Sequence, residues 1–181
     1  MTIWPELVRH WGTTAPERAR PYPCDELVRS SDGALFRGVS VEAPAAVLFR
    51  WLCQLRAAPY SYDLLDNRGR RSPQELTPGL ERLRRGQRVM TIFELAEFET
   101  NRSITLRHRG ALFGELAVTY QVDDAGRGRS RLVVKLIPGA TRGPLGAVAH
   151  LLLPPGDLLM MRRQLLNLKR LAEGSVPGGA G

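Results

Sequence analysis

His108 has the clearest chemical potential in this chain. In the run Ser103–His108, Ile104, Leu106 and His108 alternate with Ser103, Thr105 and Arg107. The alternation of a strand puts His108 on the face of Ile104 and Leu106. A neutral imidazole there could act as an acid–base catalyst or anchor a ligand oxygen. The competing reading leaves it solvated at a strand end between Arg107 and Arg109. Tyr120, between Val118 and Val122, has the same inward phase. A buried phenol seeks a hydrogen-bond partner, either a ligand or a neighbouring backbone group. Glu94 is the one carboxylate with a comparable opening. If Met90, Ile92 and Ala96 point inward, Glu94 is buried, with the raised pKa that a general acid needs. If Val89, Phe93 and Leu95 point inward, it is a surface acid. The pattern leaves both phases open, with a lean to the second.

Other chemically capable residues lie between Pro59 and Pro73. Tyr60 and Tyr62 could line the mouth of a binding site, and Arg70 and Arg71 could grip an anionic headgroup. Asp63 and Asp66 stand close together, but no histidine accompanies them and their spacing matches no metal loop. They are read as turn caps. The sequence contains no GxSxG, HExxH or P-loop, and no GxGxxG in strand–helix context. Gly126-Arg127-Gly128 reads as a polar hairpin turn. No metal and no cofactor is implied, and catalysis is disfavoured without being excluded.

Composition narrows the classes further. With 181 residues and a 43% hydrophobic share, one folded domain is expected, needing neither disulfide nor metal. Cys24 and Cys53 form no CxxC pair, and Cys53 lies in an apolar helical pattern as a small core residue. The longest apolar run stops at Pro154-Pro155-Gly156-Asp157, well short of the ~20 residues of a membrane span. No secretory signal pattern opens the chain, so a cytoplasmic location is expected. The net charge of +8 is carried almost wholly by arginine. The arginines are scattered and not interleaved with aromatics, so no nucleic-acid partner is expected.

Several elements must position these residues. Residues 1–33, with four prolines and little periodicity, read as an arm on the domain surface. A strand over 35–42 shows Leu35, Val39 and Val41 on one side. Pro44 then takes a first helical position, and Val47, Leu48, Trp51, Leu52 and Leu55 recur at helical spacing. After an irregular segment, 57–85, with one helical turn allowed near Pro78–Arg85, four strands follow. The first is read as one strand over 88–98. The others alternate cleanly around Ile104, Tyr120 and Val134, predicting antiparallel pairs with one buried and one solvated face. After an irregular break at 139–146, a helix is expected over 157–173. Leu158, Met161, Leu165 and Leu168 form its apolar stripe, with Gly156-Asp157 as its start. The tail 174–181 reads as disordered. The predicted fold class is α+β: a curved antiparallel sheet wrapped around a long C-terminal helix, with an apolar cavity between them.

This order of elements resembles the SRPBCC superfamily, also called START-like or Bet v 1-like, over about residues 33–173. Three phrases carry the resemblance. Val41-Glu42-Ala43-Pro44-Ala45-Ala46-Val47-Leu48-Phe49-Arg50-Trp51-Leu52 is similar to the family's opening strand and Pro-started helix. Pro59–Asn67 with Gly69–Pro73 is similar to an insert of uncharacterised bacterial members. Gly156–Leu165, leading to Leu168-Lys169, resembles their C-terminal helix. The resemblance implies a helix-grip fold that encloses an apolar ligand, in a family that includes polyketide cyclases, aromatases and lipid carriers. The leading expectation is binding or transport of a hydrophobic small molecule, without assigned catalysis. Its ligand would be lined by Tyr60, Tyr62, Phe93, Ile104, Leu106, His108, Val118, Tyr120, Leu158, Met161 and Leu165. The alternative is a cyclase, aromatase or dehydratase using His108 or Glu94. A third reading is a basic-surface interaction module. Monomer and homodimer both stay open.

Overall fold

The computed structural model describes residues 5–28, 33–61, 71–110, 114–139 and 143–176. In chain order the elements are α1 (Glu6–Arg9), β1 (His10–Trp11), α2 (Ala15–Ala19), a 3₁₀ turn (Pro23–Glu26), β2 (Leu35–Val41) and α3 (Ala45–Cys53). They continue with β3 (Arg88–Val89), β4 (Phe93–Glu99), β5 (Ser103–Gly110), β6 (Gly114–Gly126), β7 (Arg129–Pro138) and α4 (Gly143–Gly174). The seven strands form one open, curved sheet in the order β1-β2-β7-β6-β5-β4-β3. Every neighbouring pair is antiparallel except β1 and β2, which run parallel.

Alternation sorts the side chains as the sequence predicts. Leu35, Val39, Val41, Ile104, Leu106, Val118, Tyr120, Leu132 and Val134 face inward, against α3 and α4. Trp51, Leu52 and Leu55 close one end of this core, and Leu165, Leu168 and Ala172 cover it from α4. The β6–β7 hairpin turns on Arg127-Gly128, both at positive φ (54° and 73°), the signature of a primed two-residue turn that matches strand twist.

The outer face departs from the solvated surface expected of it. Thr105, Ala117 and Thr119 are fully buried, because arm residues lie over them. Tyr22, Cys24 and Val28 pack with Phe36, Val133 and Ile137 in a second small core. The Cys24 backbone N–H donates to Thr119 Oγ1 (3.0 Å), which shares a hydrogen bond with Thr105 Oγ1 (3.0 Å). Buried threonine hydroxyls are thereby satisfied rather than stranded. The arm also adds β1 to the sheet edge. There Gly12 (φ +73°) touches Gly38, and a Cβ on Gly12 would lie 2.2 Å from the Gly38 carbonyl oxygen.

Glu17 pins the arm. Its carboxylate accepts from Arg131 Nε (2.7 Å) and from the Thr14 backbone N–H (2.7 Å), closing a capping box at α2. Burial pushes this carboxyl up, but the bonds from Arg131 and Thr14 outweigh it and hold the group at about 2. A lowered folded-state value means stability that is present above about pH 4.5 and lost as pH falls through about 2. Glu17→Gln is expected to cost roughly 2 kcal/mol at neutral pH and to flatten the acid limb of a urea-stability profile over that window. An unchanged acid limb would mean that the pair does not hold the arm.

Three further expectations are corrected. Residues 88–98 do not form one strand. Met90 (φ 47°) and Thr91 (φ 67°) turn the chain back, so that Arg88 pairs with Glu94 and Val89 with Phe93. The final helix starts near Gly143, not at Asp157, and runs through Pro154 and Pro155. The two prolines remove two backbone donors, but the helix continues because its apolar side packs against the sheet. Pro78–Glu81 forms a turn rather than a helical turn. Among the described residues, no helix is long and apolar enough to cross a membrane.

Candidate functional site

Four strands contribute to one inward-facing rung. Arg37 on β2 pairs across to Val134 on β7, Val134 to Tyr120 on β6, and Tyr120 to Ile104 on β5. Arg37 and Tyr120 therefore stand two strands apart, about 10 Å at the usual strand spacing. Helix α4 crosses above them with Asp157, Met161, Gln164 and Leu165 turned to the sheet, at spacings of four and three residues.

Arg37 and Asp157 meet at 2.7 Å, with their side chains 1% and 5% exposed. Arg37 Nη1 also donates to the carbonyls of Arg9 (2.9 Å) and Phe36 (2.8 Å), and Nη2 to that of Pro154 (3.4 Å). The pair is not saturated. Asp157 Oδ2 takes the contact from Arg37 Nη2, whereas Arg37 Nε is buried with no hydrogen-bond partner among the described residues. Burial pushes the Asp157 carboxyl up to about 6, although Arg37 pulls the other way. Burial likewise lowers the Arg37 value.

The second polar pair lies alongside. Tyr120 Oη donates to Gln164 Oε1 at 2.7 Å and lies 3.8 Å from Met161 Sδ. Gln164 Nε2 donates in turn to the Pro59 carbonyl (2.5 Å). Burial, reinforced by the nearby Asp157 charge, raises the Tyr120 value, so the phenol stays protonated and serves as a donor. Tyr60 borders this set with its ring edge-to-face to Trp51 (6.2 Å, 84°), and its carbonyl accepts from Asn167 Nδ2 (2.8 Å). The arrangement is a small polar island in an apolar interface. It can donate from a phenol, present a carboxyl that titrates near neutrality, and orient both with an arginine and an amide.

The residues singled out from sequence divide around this island. Tyr60, Ile104, Leu106, Val118, Tyr120 and Leu165 are buried in the same core, with Phe93 and Met161 packed at its edge. Leu158 is half-buried on α4. Tyr62, Asp63, Asp66 and Arg70 lie outside the described residues. His108 does have the inward phase, but it stands four residues from Ile104, roughly 13 Å along the strand from the Tyr120 rung. There it is half-buried, bonded through Nδ1 to the Ile92 carbonyl (2.8 Å), with its ring 5.9 Å from that of Phe93.

Glu94 is not a buried acid. Leu95 pairs with inward-facing Leu106, so Glu94 points outward, half-exposed, and bonds Arg107 at 2.8 Å. A bulge between Leu95 and Glu97 then lets Phe98 face inward as well. Cys53 is fully buried, and burial pushes its thiol up to about 12, leaving it no nucleophilic role.

Arg37, Asp157 and Gln164 were not recognised from the sequence as site residues, though a signal was present. Arg37 falls between Leu35 and Val39 on the same alternation, and Asp157 and Gln164 share the helical stripe of Met161 and Leu168. A charge on an apolar stripe is a buried charge, which needs a partner.

No protein-family model matches the chain, nor does any curated protein sequence. Solved structures do. The Zhui aromatase/cyclase from Streptomyces sp. R1128 is similar with a TM-score of 0.54 at 14% identity, over 82% of this chain and 98% of that one. Protein MLL2253 from Mesorhizobium loti is similar with a TM-score of 0.51 at 14% identity, over 80% and 99%. The di-domain ARO/CYC StfQ from the steffimycin biosynthetic pathway gives 0.51 at 12% identity over 83% of this chain, which spans about half (53%) of that protein. A curved, mostly antiparallel sheet gripping a long C-terminal helix is the helix-grip fold, and this chain has it.

Proposed function

We propose that this protein binds a hydrophobic, polyketide-like small molecule in a cavity between the inner face of the sheet and α4. The observation that carries the reading is the unsaturated polar island. Arg37 Nε is buried without a hydrogen-bond partner among the described residues, beside its ion pair with Asp157, in a core otherwise built mainly from leucine, valine and isoleucine. Sites for apolar ligands combine such walls with a few convergent polar groups that fix orientation. A hydroxyl or carbonyl on the ligand would complete the bonding of the pair, and the Tyr120–Gln164 pair would set the ring's position. The buried free cysteines agree with a reducing, cytoplasmic setting.

A second reading, a cyclase- or aromatase-type reaction, is favoured by one specific observation. Asp157 is a buried carboxyl with a value of about 6, close to where a general acid works best. Aromatase/cyclase neighbours such as Zhui support this reading as much as they support binding alone.

Native mass spectrometry of the full chain is the test. A co-purified aromatic or lipid-like compound near unit stoichiometry is expected, with Tyr120→Phe lowering its occupancy several-fold. An Asp157→Asn variant that keeps the ligand but stops its conversion to a dehydrated product would select the enzyme. A clean apo mass, with no uptake of added polycyclic aromatic probes, would overturn the binding reading.

A further inference from the structure

The side of α4 that faces away from the sheet is also apolar. Val148, Leu152, Leu159 and Leu166 follow one another at steps of four and seven residues, which keeps them on one line of the helix. All four are exposed, Leu152 by 60% and Leu159 by 58%, and Met160 lies beside the line. The opposite side carries Asp157, Gln164, Leu165 and Leu168, so this outer line has no part in the core. A monomer rarely leaves so extended an apolar line uncovered unless it meets something.

Charge decides what that is. Arg162 and Arg170 flank the line and are exposed. Arg162 stacks over the Trp11 ring (5.5 Å) and Arg170 donates to Gln74 Oε1 (2.7 Å). Among the described residues, neither pairs with a carboxylate. The only acids in α4 are Asp157, which is buried, and Glu173, which is bonded to Lys169 (2.6 Å). A second copy laid on this face would set arginines against arginines in a chain already carrying +8. An anionic surface would instead be attracted. The helix is not long and apolar enough to cross a bilayer, so against one it would lie in the interface.

We propose that the outer side of α4 docks on an anionic lipid surface. The line Leu152–Leu159–Leu166 enters the boundary between headgroups and acyl chains, while Arg162 and Arg170 meet lipid phosphates. The inference goes beyond the proposed function and stands without it, because it uses the opposite side of the helix.

Sedimentation of the full-length protein with vesicles tests it. Binding is expected to mixed phosphatidylcholine–phosphatidylglycerol vesicles, weaker with added salt, and not to phosphatidylcholine alone. Leu152→Asp with Leu159→Asp should lower partitioning more than about tenfold, and Arg162→Gln or Arg170→Gln about fivefold each. The two leucine side chains point outward, so the thermal melt of the Leu152→Asp, Leu159→Asp variant should match the parent and separate lost docking from lost folding. Failure to sediment with the mixed vesicles, or equal binding by the Asp variants, would overturn the proposal. So would a dimer in equilibrium sedimentation that Leu159→Asp dissociates, since that assigns the face to a second copy.

Discussion

Arg37→Ala should be among the most damaging single substitutions in this protein, lowering stability by about 3–5 kcal/mol at neutral pH. The change strands the Asp157 carboxyl in the interior and removes the donor to the Arg9, Phe36 and Pro154 carbonyls. The loss does not measure what the pair contributes. Asp157 titrates at about 6 because burial costs more than Arg37 returns. An apolar replacement of both partners, Arg37→Met with Asp157→Leu, is therefore expected to be neutral or to stabilise by about 1–4 kcal/mol. The pair also has a pH signature. A carboxyl raised above its unfolded value of about 4 contributes stability that is full below that pH and is lost as pH rises through about 6. Urea unfolding at pH 5 and 7.5 checks all three statements. The parent should lose on the order of 2 kcal/mol between them from this group, and the double variant should lose none of that. If the double variant is as unstable as Arg37→Ala, the pair is a net stabiliser and this reading of it fails.

Trp51→Ala is the second large effect, expected to cost about 3–5 kcal/mol. Trp51 is 2% exposed and is the largest side chain of the main core. It joins three parts of the molecule. It rides on α3, meets the Tyr60 ring edge-to-face, and donates from Nε1 to Ser175 Oγ (3.0 Å) just beyond the end of α4. Loss of the indole opens a cavity and also frees the C-terminal end of α4. Hydrogen exchange should therefore show deprotection centred on Leu168–Ala172, with the β6–β7 hairpin less affected. Trp51→Phe should recover most of the stability but not the Ser175 bond. A uniform loss of protection across the sheet would mean that Trp51 acts through global packing alone.

Both effects bear on the proposed function, because α4 is the common element. Its inner side supplies Asp157, Met161 and Gln164 to the polar island, and its outer side carries the proposed lipid-facing line. A change in how α4 sits on the sheet would alter both at once.

Much of this was legible in the chain. Local alternation assigned Leu35, Val39, Ile104, Leu106, Val118 and Tyr120 to one face, because successive side chains of any extended strand point to opposite sides. Likewise, helical spacing assigned Leu165 and Leu168 to the buried side of α4. The order strand, helix, antiparallel meander, long helix already implied a sheet folded over one helix, since each apolar face had a single large partner available.

What the sequence left open was settled by contacts between distant segments. Glu94 could face either way until the pairing of Leu95 with Leu106, and the bulge after it, chose. Asp157 looked like a helix start because Pro154, Pro155 and Gly156 precede it, and local propensity favours a break there. Packing on the sheet outweighed that propensity and carried the helix back to Gly143. Once α4 was continuous, Asp157 fell within reach of Arg37. The cost of burying a lone charge then made their pairing obligatory. The arm over Thr105 and Thr119 has the same origin: nothing local marks those hydroxyls as buried, and only the Cys24 backbone laid across them makes them so.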